Sequence, residues 1–376
     1  MITFNKPYAT GKELTYINQA ITKGHISGNG LFTQWCNTFF CEMLNAPKAL
    51  LTHSCTAALE MCAILLNIQP GDEIIIPSFT FVSTALAFTR MGAKIVYIDS
   101  EENTPNLDAT KLEKYITGRT KAIVVVHYAG VACDMDFIMS LADKYQLWVV
   151  EDAAQAIGSY YKGQTLGAIG HLSTFSFHET KNIQCGEGGM LVINDPKFAE
   201  RAEIIWEKGT NRARFFRGEI DKYTWVDTGS SYLPSDMNAA YLKAQLELLD
   251  DIQSRRIHLS TLYNKNLNVL VKQKKIKVIS FPPYATNNGH IFYLICKDLD
   301  ERTRLIEYLK HENIQSVFHY LGLHNSPYML TIDNPTKQSL AQCQTYADTL
   351  LRLPLYYELT PQEIQYISSK IIDFYG

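Results

Sequence analysis

The side chains best suited to chemistry in this sequence lie in two stretches that each follow an apolar run. Lys181 ends the string Ser-Phe-His-Glu-Thr-Lys after a strand-like run at 173–177, and the turn Gly-Glu-Gly-Gly follows at 186–189. Asp152 follows the apolar run 147–150. A lysine for an imine and a carboxylate for a ring nitrogen are the protein groups that pyridoxal 5'-phosphate (PLP) most needs. The pair therefore predicts a PLP enzyme.

Each of these residues also has an ordinary interpretation. A lysine is most often a solvated surface residue, and an aspartate after a strand is most often a turn or capping residue. The glycine-rich turn after Lys181 permits close backbone approach and favours the functional interpretation. Glu151 competes with Asp152 for the ring nitrogen. Strand alternation should place the two on opposite faces, so only one can reach it.

A candidate phosphate site precedes the predicted helix at 57–66. A helix N-terminus there would present free N–H groups and two hydroxyls, from Ser54, Cys55 and Thr56, and such a site suits an anion. The ordinary role of serine and threonine at this position is to cap the helix. Ser176 adds a further hydroxyl. Phe81 is a candidate for stacking on the cofactor ring, with core packing as its alternative.

The elements that must position these residues alternate between strand and helix. Continuous β-branched runs predict buried parallel strands at 73–76, 94–98, 122–126 and 147–150. Crossover helices are predicted at 54–66, 82–91, 107–115 and 135–145. The pattern predicts an α/β fold with a mostly parallel sheet, and ligands in such sheets bind beyond the carboxyl ends of the strands. The loops at 77–81, 127–130 and 152–155 should meet there.

The C-terminal third has a different pattern. Long amphipathic helices are predicted from 236 to 252 and on to about 267, followed by a strand at 290–296, a helix at 302–311 and a strand at 314–319. A capping box with proline at its first helical position opens the last helix at Thr360. We therefore predict a large PLP-binding domain over residues 1–250 and a smaller α+β domain over residues 251–376.

Composition excludes several classes of function. The 376 residues are 46% hydrophobic and 19% charged with a net charge of −3, and no block of lysine and arginine suggests nucleic acid. No apolar run approaches the roughly 18 to 20 residues of a membrane span. The N-terminus lacks an export signal, so a cytoplasmic protein is expected. The eight cysteines show no metal-ligand spacing, which predicts free thiols and no metal site.

These motifs together resemble the DegT/StrS family of sugar-nucleotide aminotransferases, which have the aspartate aminotransferase fold (fold type I). The resemblance spans almost the whole chain. It lies in the segments 28–30, 54–59, 77–84, 126–130, 151–155, 176–181 and 319–324.

The resemblance implies a role for each matched residue. Lys181 carries the cofactor, Asp152 faces the pyridine nitrogen, and Gln155 lies near the ring hydroxyl. The phosphate site is implied to include Ser54, Cys55, Thr56 and Ser176. The family's active sites are shared across a homodimer, with an asparagine reaching the partner's phosphate. Ser231 stands at that position, Leu233 replaces a family arginine, and Cys55 replaces a family glycine.

The long strings at 175–182, 203–212, 215–218 and 221–225 are similar to one branch of the family. That branch, in enterobacterial antigen synthesis, aminates C4 of dTDP-4-dehydro-6-deoxy-D-glucose in the galacto configuration, with glutamate as the donor. Candidate nucleotide or sugar contacts are Arg212, Arg217, His319, Tyr320 and His324. Amination to the gluco epimer or at C3 stays open, and a non-catalytic PLP-binding regulatory protein is the remote alternative. A related 3-dehydratase branch has histidine at the lysine position, so Lys181 argues against it.

Overall fold

A computed structural model of the chain describes residues 1–332 and 340–376, so part of the predicted smaller domain, 333–339, lies outside the described residues. The helices are α1 (Glu13–Thr22), α2 (Leu31–Leu44), α3 (Cys55–Leu65), α4 (Val82–Thr89), α5 (Met135–Tyr145), α6 (Ala199–Trp206), α7 (Arg212–Phe216), α8 (Asp236–Leu246), α9 (Leu249–Lys272), α10 (Leu299–His311), α11 (Pro327–Thr331), α12 (Ala341–Thr349) and α13 (Pro361–Tyr375). Across both described ranges, no helix has the length and apolarity needed to cross a bilayer.

The strands form one large sheet, one small sheet and a short hairpin. They are β1 (Lys48–Thr52), β2 (Glu73–Pro77), β3 (Lys94–Ile98), β4 (Thr120–Val126), β5 (Trp148–Asp152), β6 (Tyr160–Tyr161), β7 (Gln164–Thr165), β8 (Leu172–Ser176), β9 (Gly189–Ile193), β10 (Lys277–Val278), β11 (Phe292–Ile295) and β12 (Leu350–Leu353). The large sheet has seven strands in the order β1-β9-β8-β5-β4-β2-β3. Only β9 runs against the others, because both β1 and β8 pair with it antiparallel.

Both faces of the large sheet are buried, as the continuous apolar strands predict. Ile74 and Ile76 of β2 contribute to one hydrophobic cluster, together with α3 and α4. Ile75 contributes to the cluster on the other face, with α2, α5 and α8. Because side chains alternate along a strand, helices must cover both faces, which gives a three-layer α/β arrangement. The mostly parallel sheet and the fold class are confirmed.

The C-terminal part forms an antiparallel sheet in the order β10-β11-β12, packed with α9, α10 and α13. One cluster of buried residues runs from the large sheet into this part. The predicted capping box is present, with Thr360 and Glu363 bonded reciprocally. We propose that the two domains divide near the start of α9, close to the predicted boundary at residue 250.

Three predicted elements differ from the structure. The crossover at 107–115 is a 3₁₀ segment over 109–115, because Leu107 is paired with Ser100 in a bridge and little chain is left before β4. The predicted strand at 314–319 is wrong. Only Ile314 and Val317 form isolated bridges there, after which the chain turns into the site. The long helical region from 236 is two helices, α8 and α9, that break at 247–248.

Candidate active site

A cavity of about 640 Å³ opens at the carboxyl ends of β4, β5 and β8. The predicted site residues that line it are Ser54, Cys55, Thr56, Phe81, Asp152, Gln155, Ser176, Lys181, His319 and Tyr320. Arg256, His290 and Arg352 of the C-terminal part complete the wall. Residues far apart in the sequence therefore meet at the sheet edge where ligands of α/β proteins bind.

Lys181 lies in the turn after β8, where its N–H donates to the carbonyl oxygen of His178 at 2.9 Å. Burial lowers the pKa of its amino group, and the charge of Arg352 lowers it further, against the opposing effect of Asp152. Within the described ranges the amino group has no hydrogen-bond acceptor. A lowered pKa favours the neutral amine, which is the form that attacks an aldehyde.

Asp152 is the last residue of β5 and its carboxylate faces the cavity. The Thr84 hydroxyl donates to Oδ2 at 2.8 Å, and the Ala154 N–H donates to Oδ1 at 3.2 Å. Burial raises the pKa of Asp152 even though these donors and the charge of Lys181 oppose the rise. No cationic side chain of the described residues forms an ion pair with this carboxylate, and a protonated ring nitrogen would supply that charge.

Glu151 points to the other face of β5, as strand alternation predicts. Its carboxylate lies 3.0 Å from His127 Nε2 and accepts the N–H of Gly167 at 2.8 Å and of Gly170 at 2.6 Å. Burial would raise the pKa of Glu151, but His127 and the backbone donors outweigh it, so the pKa is lowered. Glu151 anchors the loop before β8, and only Asp152 can reach a ligand in the cavity.

The N-terminus of α3 forms the candidate phosphate site. Ser54 is the N-cap and its Oγ accepts the N–H of Ala57 at 3.1 Å. The N–H groups of Cys55 and Thr56 precede the first intrahelical bonds and remain available to an anion. The Thr56 hydroxyl lies 2.7 Å from that of Ser83 at the start of α4. Two helix starts therefore contribute hydroxyls to one place.

Gly189 at the start of β9 allows the strand to pass directly beneath this helix start. A Cβ there would lie 2.3 Å from the carbonyl carbon of Ser54 and 2.4 Å from the nitrogen of Cys55. Only glycine permits that approach. The glycine-rich turn after Lys181 thus keeps the phosphate site and the lysine together.

Gln155, Tyr320 and Phe81 form the opposite wall. Gln155 Oε1 accepts the N–H of Ala129 at 2.7 Å, and its Nε2 donates to the Tyr320 hydroxyl at 3.1 Å. The ring of Phe81 lies 6.3 Å from that of Tyr320, and Phe81 is 56% exposed although it lines the cavity. An aromatic face open to the cavity can stack on a planar ligand.

The Cys55 side chain turns towards β8, where its Sγ lies 3.5 Å from the Thr174 hydroxyl. Burial raises the pKa of the Cys55 thiol, and the negative charge of Asp152 raises it further. A thiol that stays protonated is a poor nucleophile. Cys55 therefore contributes its N–H and its packing to the site.

The predicted substrate residues separate into two groups. His319 and Tyr320 line the cavity, and His319 Nδ1 lies 2.6 Å from the Tyr128 hydroxyl. His324 lies outside the cavity wall, with its Nδ1 2.7 Å from the Ser78 hydroxyl.

Arg212, Arg217 and Ser231 do not line the cavity of their own chain. Arg217 pairs with Glu203 at 2.8 Å and with Glu219 at 2.6 Å. Arg212 stacks over the Phe216 ring, and Ser231 is exposed, with an isolated bridge to Glu207. Their predicted roles stay predictions.

Three lining residues, Thr84, His290 and Arg352, were not predicted as site residues, although Thr84 ends the matched segment 77–84. Thr84 had a usable signal, because a hydroxyl in the first turn of a helix after a parallel strand lies at the sheet's ligand edge. His290 and Arg352 had none. They reach the cavity because β11 and β12 pair with Tyr293 opposite Arg352, and only the folded chain shows that pairing.

These residues fit PLP. Among residues 1–332 and 340–376, Asp152 is a buried carboxylate with hydroxyl and N–H donors but no ion-pair partner, and Lys181 is an amine without an acceptor. A Cβ at Gly189 would close the phosphate site. The ring, the aldehyde and the phosphate of one molecule match these three positions.

Residues 7–372 match the profile of the DegT/DnrJ/EryC1/StrS aminotransferase family. The chain is 32% identical to GDP-perosamine synthase of Escherichia coli O157:H7, over 99% of this chain and 98% of that protein. It is 31% identical to the spore coat polysaccharide biosynthesis protein SpsC of Bacillus subtilis, over 99% and 96%.

Among solved structures, the fold is similar to that of a sugar aminotransferase, Spr1654 of Streptococcus pneumoniae, in its PLP form. The TM-score is 0.90 at 26% identity, over 99% of this chain and 98% of the other. The chain therefore belongs to the PLP-dependent DegT/DnrJ/EryC1/StrS aminotransferase family.

Proposed function

We propose that the protein converts dTDP-4-dehydro-6-deoxy-D-glucose to dTDP-4-amino-4,6-dideoxy-D-galactose with L-glutamate as the amino donor. Membership of the family and the strings at 175–182 and 203–225 support this reaction. The observation that carries the transaminase proposal is the placement of Lys181 and Asp152 in one cavity beside a helix N-terminus.

The residues that would hold the cofactor follow from the site. Lys181 would carry the aldehyde, Asp152 would bind the ring nitrogen, and the start of α3 with Thr56 and Ser176 would bind the phosphate. When bound, PLP would supply the aldehyde that can carry an amino group and a protonated ring that withdraws electrons from the reacting carbon.

The chain's own part in the chemistry is proton movement and charge stabilisation. Lys181 would be the base that takes the proton from the donor carbon and later returns one to the sugar carbon. Its lowered pKa suits that role, because an amine with a pKa nearer neutrality both accepts and releases protons. Asp152 would keep the ring nitrogen protonated.

Arg352 is our candidate for the carboxylate of the amino donor. Its Nη2 and Nε donate to the carbonyl oxygen of Phe318 at 3.1 and 3.3 Å, and no carboxylate of the described residues pairs with it. An arginine with free N–H groups in a cavity suits a carboxylate. We expect Arg352→Gln to raise KM for glutamate by about 10- to 100-fold and to leave KM for the sugar near its normal value. An unchanged glutamate KM would reject this assignment.

A second copy of the chain is proposed as a partner, with active sites shared across the homodimer. Ser231 does not line the cavity of its own chain, although the resemblance places its counterpart at a phosphate. The segment around it exposes Trp225 by 78% and Phe216 by 68%, which is unusual for large apolar side chains unless another surface covers them. Sedimentation equilibrium tests this proposal: a mass near 42.7 kDa would contradict it.

Product analysis tests the reaction itself. The holoenzyme is incubated with glutamate and the dTDP-linked 4-keto sugar, and the product is characterised by NMR. An axial 4-amino group agrees with the galacto assignment, an equatorial one gives the gluco epimer, and amination at C3 gives the regioisomer. A GDP-linked sugar is the necessary comparison, because a relative is named GDP-perosamine synthase. A PLP absorbance band that does not respond to glutamate would support the non-catalytic alternative.

A further inference from the structure

Behind Lys181, a chain of buried amide side chains leads to an imidazole in the cavity wall. Gln253 of α9, Asn182 next to the lysine, and His290 before β11 are each buried, with at most 6% of the residue exposed. Hydrogen bonds link them in that order. The direction of each bond decides which nitrogen of the imidazole carries its proton.

Two backbone carbonyls fix the directions. A carbonyl oxygen can only accept, so Gln253 Nε2 donates to Ile157 and Asn182 Nδ2 donates to Asn288 at 2.9 Å. Gln253 must then present its Oε1 to Asn182, whose Nδ2 donates to it at 2.7 Å. The remaining oxygen of Asn182, Oδ1, is left to face His290.

His290 Nδ1 lies 2.9 Å from Asn182 Oδ1, so this nitrogen carries a proton that it donates. Burial holds the pKa of His290 well below its usual range, and the charges of Lys181, Arg256 and Arg352 lower it further. A neutral imidazole has a single N–H. Nε2 is therefore an unprotonated acceptor.

Nε2 is also open to a ligand. His290 lines the cavity, and no described residue bonds to its Nε2. This nitrogen has no partner in the described ranges and yet is not fully enclosed by protein atoms, so it is accessible from the cavity. An acceptor thus faces the cavity near the side chains of Lys181 and Arg352.

We propose that His290 is a substrate-binding residue whose Nε2 accepts a hydrogen bond from a hydroxyl group of the sugar, and that Asn182 is the positioning residue that fixes its tautomer. This inference rests on the proposed function. The amino donor does not suit the position, because its carboxylates also only accept and its amino group is held at the reacting carbon. A hexose offers several hydroxyl donors.

Two substitutions separate the acceptor from the packing. His290→Asn keeps an N–H near the Nδ1 position for Asn182 and removes the acceptor at Nε2. His290→Gln extends to the Nε2 position and can present its Oε1 there. We expect kcat/KM for the keto sugar to fall about tenfold in His290→Asn and less in His290→Gln. The glutamate half-reaction, followed by PLP absorbance, should lose clearly less than the sugar half-reaction in His290→Asn, and thermal unfolding checks that both variants fold.

Kinetics alone can overturn the proposal. A normal kcat/KM for the sugar in His290→Asn would reject the acceptor role. Equal losses in the two half-reactions would reject it too, because they would indicate a structural role.

A measurement independent of turnover tests the tautomer. Holoenzyme labelled with ¹⁵N-histidine is compared by NMR with His290→Asn, which identifies the signals of His290. We expect a protonated Nδ1 and an unprotonated Nε2, and in Asn182→Leu we expect the two tautomers to mix. A proton on Nε2 in the wild-type protein would overturn the inference. If the wild type aminates no nucleotide sugar, the proposed function fails and the sugar contact fails with it, whereas the nitrogen shifts still decide the tautomer.

Discussion

Replacing Thr84 with valine perturbs the site of the ring nitrogen without changing its shape. Valine keeps the β-branched outline, so α4 and its packing are retained. The change removes the hydroxyl that donates to Asp152 Oδ2 at 2.8 Å and that lies 2.9 Å from the Thr80 hydroxyl. Asp152 then keeps only the longer bond from the Ala154 N–H.

The expected size of the effect follows from the charge on Asp152. A hydrogen bond to an ionised group contributes about 1.5–3 kcal/mol, and each 1.4 kcal/mol is a factor of ten. The dissociation constant of PLP should therefore rise by up to about 150-fold, an upper limit because the same bond is already present in the PLP-free site and only its strengthening on binding is lost. The hydroxyl favours the ionised carboxylate, so removing it raises the pKa of Asp152 beyond the rise that burial already causes. PLP binding requires the ionised carboxylate. When the pH is lowered, the variant should therefore lose PLP at a higher pH than the wild type does.

The assay is titration of the PLP-free chain with PLP, followed by absorbance across a pH series. Thr84→Ser keeps the hydroxyl and is the matched control, which should bind PLP nearly as the wild type does. Wild-type affinity at every pH in Thr84→Val would refute the assigned role of Asp152 and its donor.

Further substitutions test other parts of the site. Gly189→Ala should weaken PLP binding at least about tenfold, because its Cβ would meet Ser54 at 2.3 Å. Gly118→Ala is the control and should bind PLP normally, because no atom lies within 4 Å of its Cβ. Equal PLP affinities in the two variants would contradict the phosphate site. Burial raises the pKa of Asp152, so ionising this residue destabilises the PLP-free fold as the pH rises above the unfolded value of about 3.9. PLP-free Asp152→Asn should therefore melt at a higher temperature than the PLP-free wild type at pH 7.5. The same variant should bind PLP more weakly. A lower melting temperature for this variant would argue against a destabilising charge on Asp152. Glu151→Gln should cost about 1–3 kcal/mol in urea unfolding, because the amide nitrogen cannot accept the backbone N–H bonds that both carboxylate oxygens accept. The lowered pKa of Glu151 means that its stabilisation is present above the unfolded value of about 4.3 and is lost as pH falls through the folded pKa; a cost below about 1 kcal/mol would show that the buried carboxylate is dispensable.

The elements around the catalytic residues could be predicted from sequence because their signals are local. Strand β3 and helix α5 have the predicted bounds, since a β-branched run and an apolar helical period are each complete within one segment. The opposite orientations of Glu151 and Asp152 followed from strand alternation alone. Local sequence patterns were therefore enough to predict that the lysine, the carboxylate and the helix start lie close together.

The rest depends on contacts distant in the sequence. The segment 314–319 is predicted as a strand, but a strand needs a continuous partner, and here Ile314 bridges to Ile2 while Val317 bridges to Arg352. The role inferred for His290 depends on carbonyls at Ile157 and Asn288, which no local pattern connects to it. The partners of a buried polar group are set by tertiary packing, and the sequence leaves that packing open.

The most direct test of the central claim is to reduce the holoenzyme with borohydride and map the pyridoxyl label by peptide mass spectrometry. We expect the label on Lys181 and no specific label in Lys181→Arg. A label on another lysine, or none on the wild-type chain, would contradict the assignment of this cavity as the PLP site.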